Sequence, residues 1–179
     1  MREKLGVRDM IYIALMAVVL ALCSWISVPS VVPFTMQTFA VFCALLLLGG
    51  RRGFLAVLLY IMLAAVGLPV LSGFRGGIGA LLGPTGGYVF GFLLCALLYL
   101  LGEKRLPSLA LLIAGLLLCY LFGTLWFVYV YSSGGKEIGF GAALGLCVLP
   151  YLLPDAVKIV LAALLCGRLH PLLWKGRTS

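Results

Sequence analysis

The sequence predicts an all-α integral membrane protein, a bundle of six transmembrane helices forming one domain over residues 1–179, with both termini cytoplasmic. Three observations predict it. Apolar runs long enough to cross a hydrocarbon core, about 20 residues each, follow one another with short breaks. The chain is 64% hydrophobic and only 10% charged, whereas soluble domains carry about a quarter charged residues. The lysines and arginines fall between the apolar runs, and predominantly on one side of them.

The first span covers about residues 9–28 and reads as a crossing rather than a cleavable leader, because no small-residue cleavage site precedes the next run. Pro29 and Pro33 then break the chain. The second and third spans, at about 34–49 and 53–69, are short and separated by GGRRG, Gly49 to Gly53. That stretch is too polar and glycine-rich for a helix interior, so a tight turn and a helical hairpin are expected. Pro69 ends the third span; the fourth follows at about 84–102, the fifth restarts at Pro107 and runs over about 107–131, and the sixth covers about 146–167.

Placing the N-terminus inside puts ten cations on the inner side: Arg2, Lys4, Arg8, Arg51, Arg52, Lys104, Arg105, Arg168, Lys175 and Arg177. The outer loops then hold two, Arg75 and Lys136. This asymmetry sets the orientation. The remaining cation, Lys158, falls within the sixth span.

The basic excess of +8 does not indicate nucleic acid, because no solvated cluster of cations accompanies it. The six cysteines occur singly in apolar surroundings, without a CxxC pair, and read as reduced fillers of the bundle. Membrane enzymes fare poorly too. His170, the one histidine, lies in the cytoplasmic tail, Asp9 and Asp155 belong to opposite ends of the topology, and metal ligands are too few. No catalytic residue and no cofactor is assigned.

Three features stand out from the apolar background. In PDAVKIVLAALL, Pro154 to Leu165, Asp155 and Lys158 share a helix face at a spacing of three. They can pair with each other, but desolvating them costs roughly 2.5–3.5 kcal/mol per charge, so a binding site is the favoured reading. Pro150 and Pro154 are expected to kink the outer half of that span. The second feature is SGFRGGIGALLGPTGGY, Ser72 to Tyr88, which matches no nucleotide-binding pattern. Its apolar residues suit a folded lid over a cavity better than a linker, and Tyr88 beside it is a candidate ligand contact. The third is PFTMQT, Pro33 to Thr38, where Gln37 suits an interhelical hydrogen bond and a ligand contact equally well. Lys158 offers a cation to a carboxylate and Asp155 offers acceptors to N–H groups, so the expected ligand is a small amphiphile bearing an acid and N–H donors.

These segments together resemble the BioY family, the biotin-binding S components of energy-coupling factor (ECF) vitamin transporters. The resemblance is carried by VPFTMQTFAV (32–41), LLLGGRRG (46–53), GLPVLSG (67–73), LLGPTGGYVFGF (81–92) and LPDAVKIVLAA (153–163). It implies a six-helix S-component fold with cytoplasmic termini in a prokaryotic plasma membrane. It also implies a biotin pocket lined by Asp155 and Lys158 and closed by the loop around Arg75 and Gly77 and by the GPTGGY segment, with Thr85 and Tyr88. An asparagine of the glycine loop of some relatives is absent here, and Arg75 is the candidate substitute. No nucleotide motif is present, so energy would come from a partner module of two ATPases and a transmembrane coupling subunit. The coupling contact would be a small-residue face on the first helix, here Ala14, Ala17 and Ala21. The alternatives are an S component for another small carboxylated vitamin, or a biotin carrier working without the module.

Overall fold

The structure, a computed structural model, describes residues 5–30, 32–135 and 138–174. Arg2, Lys4, Lys136, Lys175 and Arg177, counted above for orientation, lie outside the described residues. Among the described residues there are seven helices and one two-stranded ladder: α1 Val7–Trp25, β1 Ser27–Val28, β2 Phe34–Thr35, α2 Gln37–Ala65, α3 Ile78–Leu81, α4 Gly86–Gly102, α5 Ser108–Ser133, α6 Phe140–Cys147 and α7 Leu149–Trp174. Four of them, α1, α2, α5 and α7, are long and apolar enough to cross a membrane, and α4 is a shorter apolar helix of 17 residues.

α2 is a single helix only in name. Gly49 sits at φ 77°, ψ 173°, outside helical geometry. A Cβ placed on Gly53 would lie 3.0 Å from the Ala44 carbonyl oxygen, an approach that a continuous helix, rising 1.5 Å per residue, puts far out of reach. The two arms therefore fold back on each other, and one glycine makes the reversal. Gly50 to Gly53 are already helical and open the second arm. Its first turn is capped from a distance: the Gly50 N–H donates to Glu103 Oε2 at 2.5 Å, a negative group at a helix N-terminus. Asp9 reaches the same end, 2.9 Å from Arg52 Nε. The start of α1, the Gly49 turn and the α4–α5 connection thus share one end of the bundle.

The chain between α1 and α2 departs from the expected spans. Residues 27–28 and 34–35 pair as a small antiparallel hairpin, Ser27 with Thr35 and Val28 with Phe34. Val28 and Val32 precede prolines, which disfavours helix at both positions. The sixth span also differs: α6 stops at Cys147, Val148 breaks the backbone at φ −125°, ψ −54°, and α7 runs through Pro154 and Pro171.

α4 and α5 pack through reciprocal glycines. A Cβ on Gly91 would meet Cys119 Sγ at 2.6 Å, and one on Gly115 would meet Cys95 Sγ at 2.4 Å. Gly87 receives Trp126 and Gly123 receives the Tyr88 ring in the same manner. Small residues that admit a neighbouring helix are the expected packing device where lipid supplies no hydrophobic driving force. The outward residues are apolar as well, including Leu117, Leu121 and Leu125 on α5 and Val157, Leu161 and Leu164 on α7.

α1 packs on α2 with Ala17 and Ala21 buried, at 1% and 7% exposure. This corrects the expected partner-helix stripe of Ala14, Ala17 and Ala21. The latter two face the interior of the chain, and only Ala14 is exposed. The open edge of α1 continues through Leu15, Val18 and Leu22.

Candidate functional site

At the end of the bundle opposite Gly49, a cavity with about 780 Å³ of atom-free space, its mouth included, opens between the hairpin, the segment after α2, and helices α2, α4, α5, α6 and α7. Its walls are mostly apolar, with a few convergent polar groups, which is the general make-up of small-molecule sites.

The segment Val66 to Thr85 forms part of this cavity because it is folded, as a lid would be. Gly77 N–H donates to the Ala64 carbonyl at 2.7 Å, and Leu71 N–H donates to the Arg75 carbonyl at 2.9 Å. Trp25 Nε1 donates to the Pro69 carbonyl at 2.9 Å, tying the segment to α1. Gly77 stands at φ 87°, where an L side chain is strained. Its role is to turn the backbone, and it does not line the cavity as expected. Arg75, Thr85 and Tyr88 do line it, as do Gln37, Asp155 and Lys158.

Asp155 and Lys158 lie about two to three turns inside α7 and are 3% and 4% exposed. Lys158 Nζ donates to Asp155 Oδ1 at 2.7 Å, to Thr38 Oγ1 at 3.0 Å and to the Thr35 carbonyl at 2.7 Å. It also lies 4.1 Å from the centre of the Phe34 ring. Asp155 Oδ1 accepts a second bond, from Thr38 Oγ1 at 2.9 Å, and Oδ2 accepts Tyr120 Oη at 2.5 Å. The two charges therefore pair with each other and also stand in the cavity wall. Buried charge is tolerable only when paired and hydrogen-bonded, and here both conditions are met.

Gln37 makes the expected hydrogen bond between helical segments and also lines the cavity. Its Nε2 donates to Tyr60 Oη at 2.6 Å, joining the two arms of α2, and Tyr60 Oη donates onward to the Val70 carbonyl at 3.0 Å. Tyr88 Oη lies 3.1 Å from Thr124 Oγ1, so its polar end is occupied by α5, and the residue lines the cavity.

Five further residues belong to the site. Thr38, Tyr120, Phe34, Thr35 and Tyr151 all line the cavity, and Tyr151 fastens the hairpin by donating to the Val32 carbonyl and stacking on Phe34. The available signal for Tyr120 was its place in the middle of an apolar span, where interfacial anchoring cannot explain a hydroxyl. Asp9 and His170 lie elsewhere, Asp9 with Arg52 and His170 in a separate depression with Ser108, Cys166 and Pro171.

The sequence pattern of the family described as BioY matches residues 1–175. The chain belongs to the BioY family. A protein named "Biotin transporter BioY" from Thermotoga maritima is 39% identical over 170 residues, covering 92% of this chain and 97% of that one. A "Probable biotin transporter BioY" from Pyrococcus horikoshii is 42% identical over 139 residues, with 78% and 81% covered. The fold is similar to a crystal structure of the S-component for biotin from an ECF-type ABC transporter, with a TM-score of 0.81, 25% identity and 94% of each chain covered. BioY is a family of membrane transport components, not of enzymes, and the chain is a multi-pass protein of the cell membrane.

Proposed function

We propose that this chain is the biotin-binding, substrate-specificity subunit of a vitamin uptake transporter, energised by a module of two ATPases and one transmembrane coupling subunit. The observation that carries the reading is the buried Asp155–Lys158 pair in the wall of a cavity that the PFTMQT, GPTGGY and LPDAVK segments also line. The residues proposed for the ligand site are Asp155, Lys158, Arg75, Thr85, Tyr88 and Gln37, joined by Thr38 and Tyr120, which line the same cavity. Biotin fits this chemistry: its ureido N–H groups need acceptors, its body is apolar, and its valerate ends in a carboxylate. A partner helix would meet the open edge of α1 beside Ala14, with membrane lipid covering the rest of the apolar exterior.

The proposed topology has six crossings, counting the arms of α2 separately, with both termini cytoplasmic. It is supported by the reversal at Gly49 and by the cation asymmetry. In cells, a cysteine at the exposed Ser133 would react with an impermeant thiol reagent and one at Lys104 would not; the opposite pattern would invert the topology. The function is tested by equilibrium binding of labelled biotin to the purified chain, with competition by other carboxylated vitamins. Saturable binding displaced by biotin alone is expected, and preferential displacement by a different vitamin would reassign the substrate.

A further inference from the structure

Lys158 is the obvious receptor for a ligand carboxylate, but its donors are already engaged. An ammonium group has three N–H bonds, and Thr35 O, Thr38 Oγ1 and Asp155 Oδ1 lie 2.7, 3.0 and 2.7 Å from Nζ. The Phe34 ring shields it further. A carboxylate arriving at Nζ would have to displace one of these partners. Displacing Asp155 would set two carboxylates side by side on one cation in a dry pocket, where like charges repel strongly. Displacing Thr35 would leave a carbonyl unpaired and release the hairpin.

Arg75 is in the opposite condition. It lines the same cavity but is exposed at the rim, and Nε donates to the Ser72 carbonyl at 3.2 Å. That leaves the four N–H bonds of the terminal nitrogens, whose planar fork suits a carboxylate. Its backbone is fixed by the Leu71–Arg75 bridge and by the left-handed conformations of Gly73 and Phe74, at φ 70° and 56°. Charge points the same way. The charged groups lining the cavity are Arg75, Asp155 and Lys158, and since the last two neutralise each other, the cavity carries one uncompensated positive charge at its mouth.

We infer that Arg75 holds the ligand's carboxylate at the mouth of the cavity, and that Lys158 is a positioning residue that orients Asp155 and fastens the hairpin. This rests on the proposed biotin-binding role. The N–H-bearing rings then lie deepest. Asp155 accepts two bonds on Oδ1 and one on Oδ2, and a carboxylate has about four acceptor sites, so one remains for a ligand N–H.

The test compares biotin with biotin methyl ester, which keeps the rings and loses the charge, on the wild-type chain, Arg75→Gln, Arg75→Lys and Lys158→Ala. Wild type should prefer the acid by about ten- to a hundredfold, the range for a charge-assisted contact. In Arg75→Gln the acid should weaken to near the ester while ester affinity stays within about threefold, and Arg75→Lys should restore part of the preference. Lys158→Ala should weaken both ligands by a similar factor and keep their ratio. An acid preference that survives in Arg75→Gln, or one that disappears in Lys158→Ala, overturns the assignment while leaving biotin binding in place. A wild-type chain that binds neither ligand removes the functional reading, and the orientation with it.

Discussion

Tyr120 donates its hydroxyl to Asp155 Oδ2 at 2.5 Å, joining α5 to α7 within the wall of the cavity. Outside this contact, α5 and α7 meet sparingly, so the bond fixes both the carboxylate and the distance between two helices. Tyr120→Phe keeps the ring and removes the bond. Losing a hydrogen bond to a charged group costs about 1.5–3 kcal/mol. Biotin affinity measured by titration should fall by roughly tenfold or more, and the thermal midpoint in detergent should fall with it. Unchanged binding would mean that Asp155 is held well enough by Thr38 and Lys158.

The charged pair predicts a non-additive pattern. Asp155→Leu or Lys158→Met alone strands a buried charge, at a cost of about 3–5 kcal/mol, whereas the double substitution removes both charges together. The double variant should therefore unfold at a higher temperature than either single variant, and biotin binding should be weaker than wild type in all three. A double variant no more stable than the worse single one would show that the partners are independent.

Packing between α4 and α5 gives a stability prediction away from the site. Gly91→Ala would place a methyl 2.6 Å from Cys119 Sγ and 3.0 Å from its Cα, where backbone must shift. Overpacking of this kind costs about 1–3 kcal/mol. Gly79 has open space around it and no left-handed φ, so Gly79→Ala should be close to neutral. Thermal unfolding of the two variants should separate them, and equal behaviour would refute the close approach.

Much of this arrangement was legible in the sequence wherever backbone chemistry or charge leaves a mark. Gly49 and the prolines at 29, 33 and 69 punctuate the chain because their backbone preferences are local. Asp155 and Lys158 stand out because charge in an apolar run has few innocent explanations. The hairpin and the α6–α7 break were not legible, since Val28, Phe34, Thr35 and Val148 are apolar or β-branched and suit either conformation until tertiary contacts decide. Tyr120 lies mid-span, and nothing local in the sequence pairs its hydroxyl with Asp155, 35 residues away. The facing of α1 was misread for a related reason: in a membrane helix both sides are apolar, so an alanine periodicity identifies a stripe without saying which side it faces.

That facing yields the last prediction. Ala17 is 1% exposed and lies in the α1 surface packed on α2, so Ala17→Trp drives an indole into a filled interior. Large insertions into a packed core force backbone and side-chain shifts. Expression, thermal stability and biotin binding should therefore decline together. Ala14 is exposed beside Leu15 and Val18, and Ala14→Trp adds bulk only outside the chain. It should leave stability and biotin binding near wild type. If a partner helix docks along this edge, the same bulk holds it away and removes its dispersion contacts. ATP-driven biotin uptake, measured in vesicles with a reconstituted energy-coupling module, should then fall to background in Ala14→Trp. Uptake at the wild-type rate would place the coupling surface on another helix, and normal binding in Ala17→Trp would return that residue to the outer face.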